Sequence, residues 1–92
     1  MADIRLHALL FGRVQGIGFR FFVQFLATGR KLKGFVRNLP DRSVEIVAVG
    51  SRESLESFWS AVQKGHPLAR IEKYTLDWEK NPESFKGFQI RY

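Results

Sequence analysis

A glycine-rich run with two arginines is the part of this sequence whose residue types could do chemistry. Between a strand-like and a helix-like segment stand Gly12, Arg13, Val14, Gln15, Gly16, Ile17, Gly18, Phe19 and Arg20. Glycines allow successive backbone N–H groups to point into one concave space, and a helix N-terminus adds unpaired N–H groups and a positive dipole end. The guanidinium of Arg20 can bind two oxygens at once. This combination predicts a site for a tetrahedral oxyanion such as a phosphoryl group.

The two best-known phosphate-binding motifs do not fit this run. A P-loop of the form G-x-x-x-x-G-K-[ST] that began at Gly12 would need a glycine at the position of Ile17. The dinucleotide fingerprint G-x-G-x-x-G, begun at Gly16, would need a glycine where Phe21 stands. Spacing alone therefore leaves open whether the run is a phosphate site or a glycine-rich turn with two solvated arginines.

Two blocks of the sequence resemble the signatures of the acylphosphatases, small enzymes that hydrolyse carboxyl-phosphate anhydrides. The first block is VQGIGFR at 14–20, and the second is GFVRN at 34–38. Segments 67–72 and 87–92 are also similar to the family, so the resemblance runs through the whole chain. The chain departs from the family pattern at Arg42, where a glycine is usual. The usual glycine indicates a positive φ, so we expect Arg42 to have a positive φ if the turn keeps its geometry.

The resemblance implies an activity and a set of site residues. Members of the family cleave the carboxyl-phosphate bond of an acyl phosphate by direct attack of water, and they release a carboxylate and inorganic phosphate. By matching position, Arg20 binds the phosphoryl group and Asn38 orients the water. The backbone of residues 15–20 completes the phosphate cradle. The side chain of Gln15 either contributes to this cradle or only shapes the loop.

Such a reaction needs few side chains. The leaving carboxylate has a conjugate acid of pKa about 4, so it needs little help from a general acid. Catalysis then consists of holding the phosphoryl group, balancing its charge and placing a water in line. With two histidines, no cysteine and no evident ligand cluster in the sequence, we expect neither a metal nor a cofactor. Spacing places no carboxylate partner beside His7, and we expect Glu45 to lie on a solvated face rather than in an acid–base pair.

A binding module without catalytic activity is the competing interpretation. RNA-recognition domains share a β-α-β-β-α-β order, and the letters KGF at 33–35 match the start of one of their motifs. The match ends there, because residues 36–40 supply no aromatic side chain that could stack on a base. An anion-binding domain that uses the same glycine-rich loop is the other alternative. Arg13 and Arg37 border the proposed site and either attract substrate or are solvated.

The elements that must position these residues follow from hydrophobic periodicity. Five segments are strand-like, at 4–11, 33–38, 44–49, 73–78 and 88–92, and residues alternate along 4–11 and 73–78. Helical spacing predicts a heavily buried helix from Phe19 to about Lys31, and a second helix that Ser51 caps and that ends near Gly65. Turns or loops are expected at 39–42 and 81–84.

The order of these elements is β-α-β-β-α-β plus a short terminal strand. This order is that of a ferredoxin-like α+β sandwich, a largely antiparallel sheet of four to five strands with both helices on one face. In this plan the loop after the first strand lies beside the second strand. We therefore expect Arg20 and Asn38 to meet at one site.

Composition and charge limit the setting of the protein. Its 92 residues predict a single domain, 1–92. Fifteen Lys and Arg against nine Asp and Glu give a net charge of +6, which favours anionic ligands without distinguishing among them. The absence of cysteine fits a reducing cytoplasm, and no stretch approaches the ~20 apolar residues of a membrane span. We expect a cytoplasmic monomer that binds a small-molecule acyl phosphate and inorganic phosphate, and neither nucleic acid nor membrane.

Overall fold

A computed structural model describes residues 3–80 and 84–92 of the chain. Its elements are, in order, β1 (Ile4–Arg13), α1 (Phe19–Gly29), β2 (Lys33–Asn38), β3 (Val44–Gly50), α2 (Arg52–Lys64), β4 (Arg70–Glu79) and β5 (Phe88–Arg91). The predicted order, with a short last strand, is confirmed. Most of the expected loop at 81–84 lies outside the described residues.

The strands form one five-stranded sheet in the order β4-β1-β3-β2-β5. β1 pairs antiparallel with β3 and β4, β2 pairs antiparallel with β3, and β5 runs parallel to β2. The prediction of a largely antiparallel sheet is therefore confirmed. Val44 pairs with Leu10 of β1 on one side and with Asn38 of β2 on the other. The ends of β1 and β2 consequently lie at the same end of the sheet.

The two helices contribute to a core that also contains the inward-facing residues of the strands. Along α2, the buried residues fall at helical spacing, as predicted: Leu55, Phe58, Trp59 and Val62. These side chains join buried residues of α1 and of the sheet, among them Leu6, Val23, Ala27, Val36 and Ile46. Ser51 caps α2, since its hydroxyl accepts a hydrogen bond from the N–H of Ser54 at 3.2 Å.

The prediction that α1 is heavily buried is wrong for two of its phenylalanines. The buried residues of this helix are Phe19, Val23 and Ala27. Phe21 and Phe25 are 62% and 76% exposed. Because a helix turns by about 100° per residue, a side chain two positions from Val23 points away from the face that Val23 buries. No helix in the described part of the chain is both long and apolar enough to cross a membrane.

Two element boundaries also differ from those predicted. α1 ends at Gly29 rather than near Lys31, which has a φ of 57° and so cannot continue the helix. β4 begins at Arg70 rather than at Lys73. Its early start reflects pairing with the end of β1, where Arg70 lies opposite Arg13. Such pairing leaves no alternating pattern in the sequence.

Candidate active site

The loop between β1 and α1 forms the floor of the candidate site. It follows a register shift between β1 and β4 at Phe11 and Gly12. Gly16 and Gly18 have φ values of 76° and 75°. Because side chains other than that of glycine are strained in this region, these two glycines allow the chain to turn sharply into α1.

The N-terminus of α1 lies in this loop and has no side-chain cap. Gly18 is the N-cap residue and makes no side-chain capping hydrogen bond, and the first turn of this fully described helix carries no acidic residue. Helix N-termini leave backbone N–H groups without an intrahelical partner and carry a partial positive charge. This end of α1 is therefore suited to an anion.

Two concave spaces share the loop. The smaller has a volume of about 100 Å³ and is lined by Val14, Gly16, Gly18, Phe19, Arg20, Phe21 and Asn38. The larger has a volume of about 710 Å³ and is lined by Gly12, Arg13, Val14, Gln15, Gly16, Arg20, Asn38 and Arg42. We call them the inner pocket and the outer pocket. Arg20 and Asn38 line both, so the structure brings these two residues together.

The inner pocket has the size of a small anion. With about 30 Å³ for each water molecule, its volume of about 100 Å³ corresponds to roughly three waters. A phosphoryl group fits such a space, and a nucleotide does not.

Asn38 ends β2 with an acceptor that has no partner. Its Oδ1 is buried and accepts no hydrogen bond from any residue that the structure describes. Leaving a buried acceptor unpaired costs about 1–3 kcal/mol, so atoms of this kind are rare in native proteins. Asn38 lines both pockets, so this unpaired oxygen belongs to a side chain that borders the space where a ligand would bind.

Arg20 is positioned by an aromatic ring. Its Cζ lies 4.8 Å from the centroid of the Tyr92 ring. Within residues 3–80 and 84–92, Arg20 forms no ion pair with a carboxylate. Stacking on a ring holds a guanidinium while leaving its charge and in-plane N–H groups available to an anion.

Gln15 joins the loop to the hairpin that follows Asn38. Its Nε2 donates to the carbonyl oxygens of Leu39 at 3.1 Å and of Ser43 at 2.8 Å. The N–H of Leu39 donates to the oxygen of Ser43 at 2.9 Å, which closes the same turn. These contacts favour the interpretation in which the Gln15 side chain shapes the site. The side chain of Ile17 packs against the core and lines neither pocket.

The turn between β2 and β3 contains the arginine that replaces the usual glycine. Arg42 has a φ of 74°, so the left-handed conformation predicted at this position is present. Its N–H donates to the oxygen of Leu39 at 3.1 Å. The Asp41 carboxylate accepts hydrogen bonds from the hydroxyl and the N–H of Ser43, and these bonds lower the pKa of Asp41. Arg42 and Arg13 both line the outer pocket.

His7 has a carboxylate partner that spacing did not indicate, and the expectation that Glu45 lies on a solvated face is wrong. His7 Nε2 lies 2.8 Å from Oε2 of Glu45, and Arg37 Nε donates to Oε1 of Glu45 at 2.6 Å. Burial raises the pKa of Glu45, but the hydrogen bonds from His7 and Arg37 outweigh it and lower that pKa overall. Arg37 also lies over the Phe35 ring, 5.8 Å from its centroid. Arg37 therefore belongs to this network and lines neither pocket described above.

The sequence contained one signal of this network. Arg37 and Glu45 are directly opposite each other on β2 and β3, so counting back from the turn would have paired them. The contact with His7 depends on the pairing of β1 with β3 and has no local signal. Among the described residues, including this network, no group of three or more His, Asp or Glu side chains could hold a metal ion.

The chain is similar to known proteins along almost its whole length. The family described as Acylphosphatase matches residues 6–90. An acylphosphatase of Bacillus licheniformis is 47% identical over 81 residues, which are 88% of this chain and 90% of that protein. The crystal structure of acylphosphatase from Bacillus subtilis has a TM-score of 0.93 at 39% identity and covers 97% of this chain and 99% of its own. An acylphosphatase structure from Coxiella burnetii has a TM-score of 0.84 at 32% identity and covers 98% and 94%.

Proposed function

This chain belongs to the acylphosphatase family, and from that premise we propose that it hydrolyses acyl phosphates at the inner pocket. The products are a carboxylate and inorganic phosphate. The observation that carries the assignment to this pocket is the buried Oδ1 of Asn38, which has no partner among the described residues. Asn38 lines a space the size of a phosphoryl group together with Arg20 and with Gly18, the N-cap residue of the uncapped helix α1.

Two kinds of donor hold the phosphoryl group in this proposal. The backbone N–H groups of residues 15–19 surround its peripheral oxygens, and the guanidinium of Arg20 supplies a full positive charge. In the transition state of phosphoryl transfer, negative charge spreads over the three peripheral oxygens. Donors that are already oriented stabilise this charge without reorganising. The hydrogen bonds of Gln15 to the hairpin keep the loop in position.

Asn38 orients the attacking water in this proposal. Its Oδ1 accepts a hydrogen bond from the water and so directs a lone pair of the water oxygen at phosphorus. A neutral amide is not a base, and the reaction does not need one. Both hydrogens of the water appear in the dihydrogen phosphate that forms when the P–O bond to the acyl group breaks. The carboxylate leaves as a weak base, which needs no protonation by the protein.

The same proposal extends to the cofactor, the assembly and the location. The reaction needs no divalent metal, because Arg20 and the first turn of α1 supply the positive charge that a metal would otherwise supply. Inorganic phosphate inhibits by occupying the inner pocket. Residues 1–92 act as a single domain and as a monomer, and the absence of cysteine suits the cytoplasm.

A binding module without catalysis is not favoured. The aromatic residue of the letters KGF is Phe35, which is 8% exposed. Arg91 Cζ lies 3.9 Å from the centroid of its ring, and the Phe85 ring lies 6.1 Å away. A covered ring cannot serve as a stacking surface for a base.

Incubation with benzoyl phosphate in the presence of EDTA tests the proposed function. We expect release of benzoate, with competitive inhibition by inorganic phosphate. Asn38→Ala prepared in the same way is the control against a contaminating phosphatase. Absence of turnover together with RNA binding at moderate salt would favour the binding module instead. Loss of turnover in EDTA that magnesium restores would contradict metal independence.

A further inference from the structure

The outer pocket is bounded by two arginines that the phosphoryl group does not need. Beyond the residues that it shares with the inner pocket, its lining includes Arg13 and Arg42. Arg13 also lines a neighbouring depression of about 450 Å³, together with Pro67, Leu68, Ala69 and Arg70. None of the described lining residues of either space is acidic. The surface around the phosphoryl site is therefore strongly positive.

These arginines are not neutralised by the protein itself. Carboxylate partners are found for other arginines, namely Arg5, Arg37 and Arg52. Arg13, Arg42 and Arg70 form no ion pair within residues 3–80 and 84–92. Their charges consequently act on whatever enters the outer pocket.

Arg42 has a backbone conformation that is unfavourable for a residue other than glycine. At a φ of 74°, its Cβ is strained in a way that glycine would avoid. The turn does not depend on the guanidinium, because it is closed by the backbone bond from Arg42 to Leu39 and by the bonds between Ser43 and Asp41. Strained residues cluster at functional sites, where the side chain serves a purpose that the local fold does not explain.

The outer pocket, at about 710 Å³, is much larger than the inner pocket, at about 100 Å³. When a phosphoryl group occupies the inner pocket, the acyl group must extend into this outer space. We propose that Arg42, assisted by Arg13, binds a second negative charge on the acyl group. The preferred substrates are then acyl phosphates whose acyl end carries a carboxylate or a further phosphate. This inference rests on the proposed function and specifies its substrate class.

Guanidinium groups suit this role. Arginine binds carboxylate and phosphate oxygens with two parallel N–H donors and keeps its charge at any pH at which proteins are folded. Both arginines are exposed, so solvent screens the attraction and limits the preference to roughly two- to fivefold at low ionic strength. The preference belongs to binding and therefore changes KM more than kcat.

The test compares two aryl acyl phosphates that differ by one charge, benzoyl phosphate and 4-carboxybenzoyl phosphate. For the wild-type protein we expect kcat/KM to be about two- to fivefold higher for the carboxylated substrate at low salt. In Arg42→Asn this ratio should fall towards one, because asparagine tolerates a left-handed φ but carries no charge. In Arg42→Lys, which keeps the charge, most of the ratio should remain.

Lys31 provides a matched control. It is also a residue other than glycine at positive φ, and it lies beyond the far end of α1 from the site. Lys31→Asn removes the same charge at a distance from the site and should lower the ratio much less than Arg42→Asn does. An equal fall of the ratio in both variants would show that net charge is responsible, and would overturn the subsite. A wild-type ratio of one or below, or an unchanged ratio in Arg42→Asn, would also overturn it.

The two proposals fail in distinguishable ways. If neither substrate is turned over, the proposed function is wrong. The subsite is then decided by calorimetric titration with benzylphosphonate and with 4-(phosphonomethyl)benzoate, which cannot be hydrolysed at the P–C bond. Tighter binding of the carboxylated compound that is lost in Arg42→Asn would support the subsite. Equal binding of the two compounds would overturn it.

Discussion

Arg20 and Asn38 line the same two pockets, but they offer a bound phosphoryl group different things. Arg20 is a charged donor that can bind phosphoryl oxygens both before and during the reaction. Asn38 has an acceptor without a partner among the described residues, and in the proposed mechanism this acceptor orients the water, which matters only for the chemical step. Arg20→Ala should therefore weaken both phosphate inhibition and turnover. Asn38→Ala should lower kcat by on the order of a hundredfold or more and leave the inhibition constant of phosphate nearly unchanged.

Steady-state kinetics with phosphate as inhibitor measure both quantities. Circular dichroism of each variant must first match the wild type, because Asn38 pairs with Val44 in the sheet. A folded Asn38→Ala protein with normal kcat would show that Asn38 does not orient the water and is only the last residue of a strand.

A second prediction at the scale of residues concerns backbone strain at Arg42. Arg42→Gly should raise the free energy of unfolding by about 0.5–1 kcal/mol, which is the relieved strain less the larger unfolded-state entropy of glycine. For a domain of this size the gain corresponds to a Tm increase of about 2–8 °C. Lys31→Gly, at a φ of 57°, should show a similar increase. If Lys31→Gly is stabilised and Arg42→Gly is not, the left-handed conformation of Arg42 does not destabilise the protein. Thermal melts of the three proteins decide the matter.

The local sequence indicated the residues of the candidate site better than the hydrogen bonds that hold those residues in place. The meeting of Arg20 with Asn38 could be predicted, because the order of elements places the ends of the first and second strands together. The bonds of Gln15 could not, since its partners are the carbonyl oxygens of Leu39 and Ser43, which any residue would provide. Backbone partners leave no trace in residue type. The role of the Gln15 side chain therefore stayed open until the hairpin was seen.

At the scale of elements, periodicity predicted α2 better than α1. The apolar residues of α2 fall on one face, so their burial follows directly from the spacing. In α1 apolar residues cover the whole helix except a narrow stripe of Arg20, Gln24 and Thr28, so the spacing does not show which part of this wide apolar surface faces the sheet. The structure buries Val23 and exposes Phe21 and Phe25. The direction from which the sheet approaches decides this burial, and only tertiary packing supplies it.

The network of His7, Arg37 and Glu45 links β1, β2 and β3, and it makes stability depend on pH. The pKa of Glu45 is lower in the folded protein than its ordinary value of 4.5. Its contribution to stability is therefore fully present above that value and is lost as the pH falls through the lowered pKa. We expect the difference in unfolding free energy between wild type and Glu45→Gln to shrink as the pH falls from about 6 to about 3.

Urea denaturation at several pH values measures this difference. Glu56→Gln is a suitable control, because Glu56 pairs with Arg52 within α2 at 3.6 Å and both side chains are largely exposed. The stabilising effect of that pair should be small at every pH. A difference for Glu45→Gln that stays constant or grows in acid would mean that the network does not stabilise the ionised carboxylate.

At the scale of the whole molecule, charge and size together predict two opposite responses to salt. The net charge is +6, and the molecule measures 35 × 23 × 21 Å. The Debye length is about 30 Å at 0.01 M salt, so at that concentration nearly every charge acts on every other. At 0.15 M it is about 8 Å, and only neighbouring charges interact. Raising sodium chloride over this range should lower kcat/KM for benzoyl phosphate, since attraction of the anion from a distance is screened.

The same change should raise Tm, because screening also weakens the repulsion among 15 Lys and Arg that nine Asp and Glu do not balance. Sodium chloride is the appropriate salt, since sulfate and phosphate would compete for the inner pocket. A change in kcat/KM without a change in Tm would confine the electrostatic effect to the site. A decrease in both would contradict the argument from net charge, because it would mean that salt breaks ion pairs, such as that of Arg37 with Glu45, that matter more than the overall repulsion.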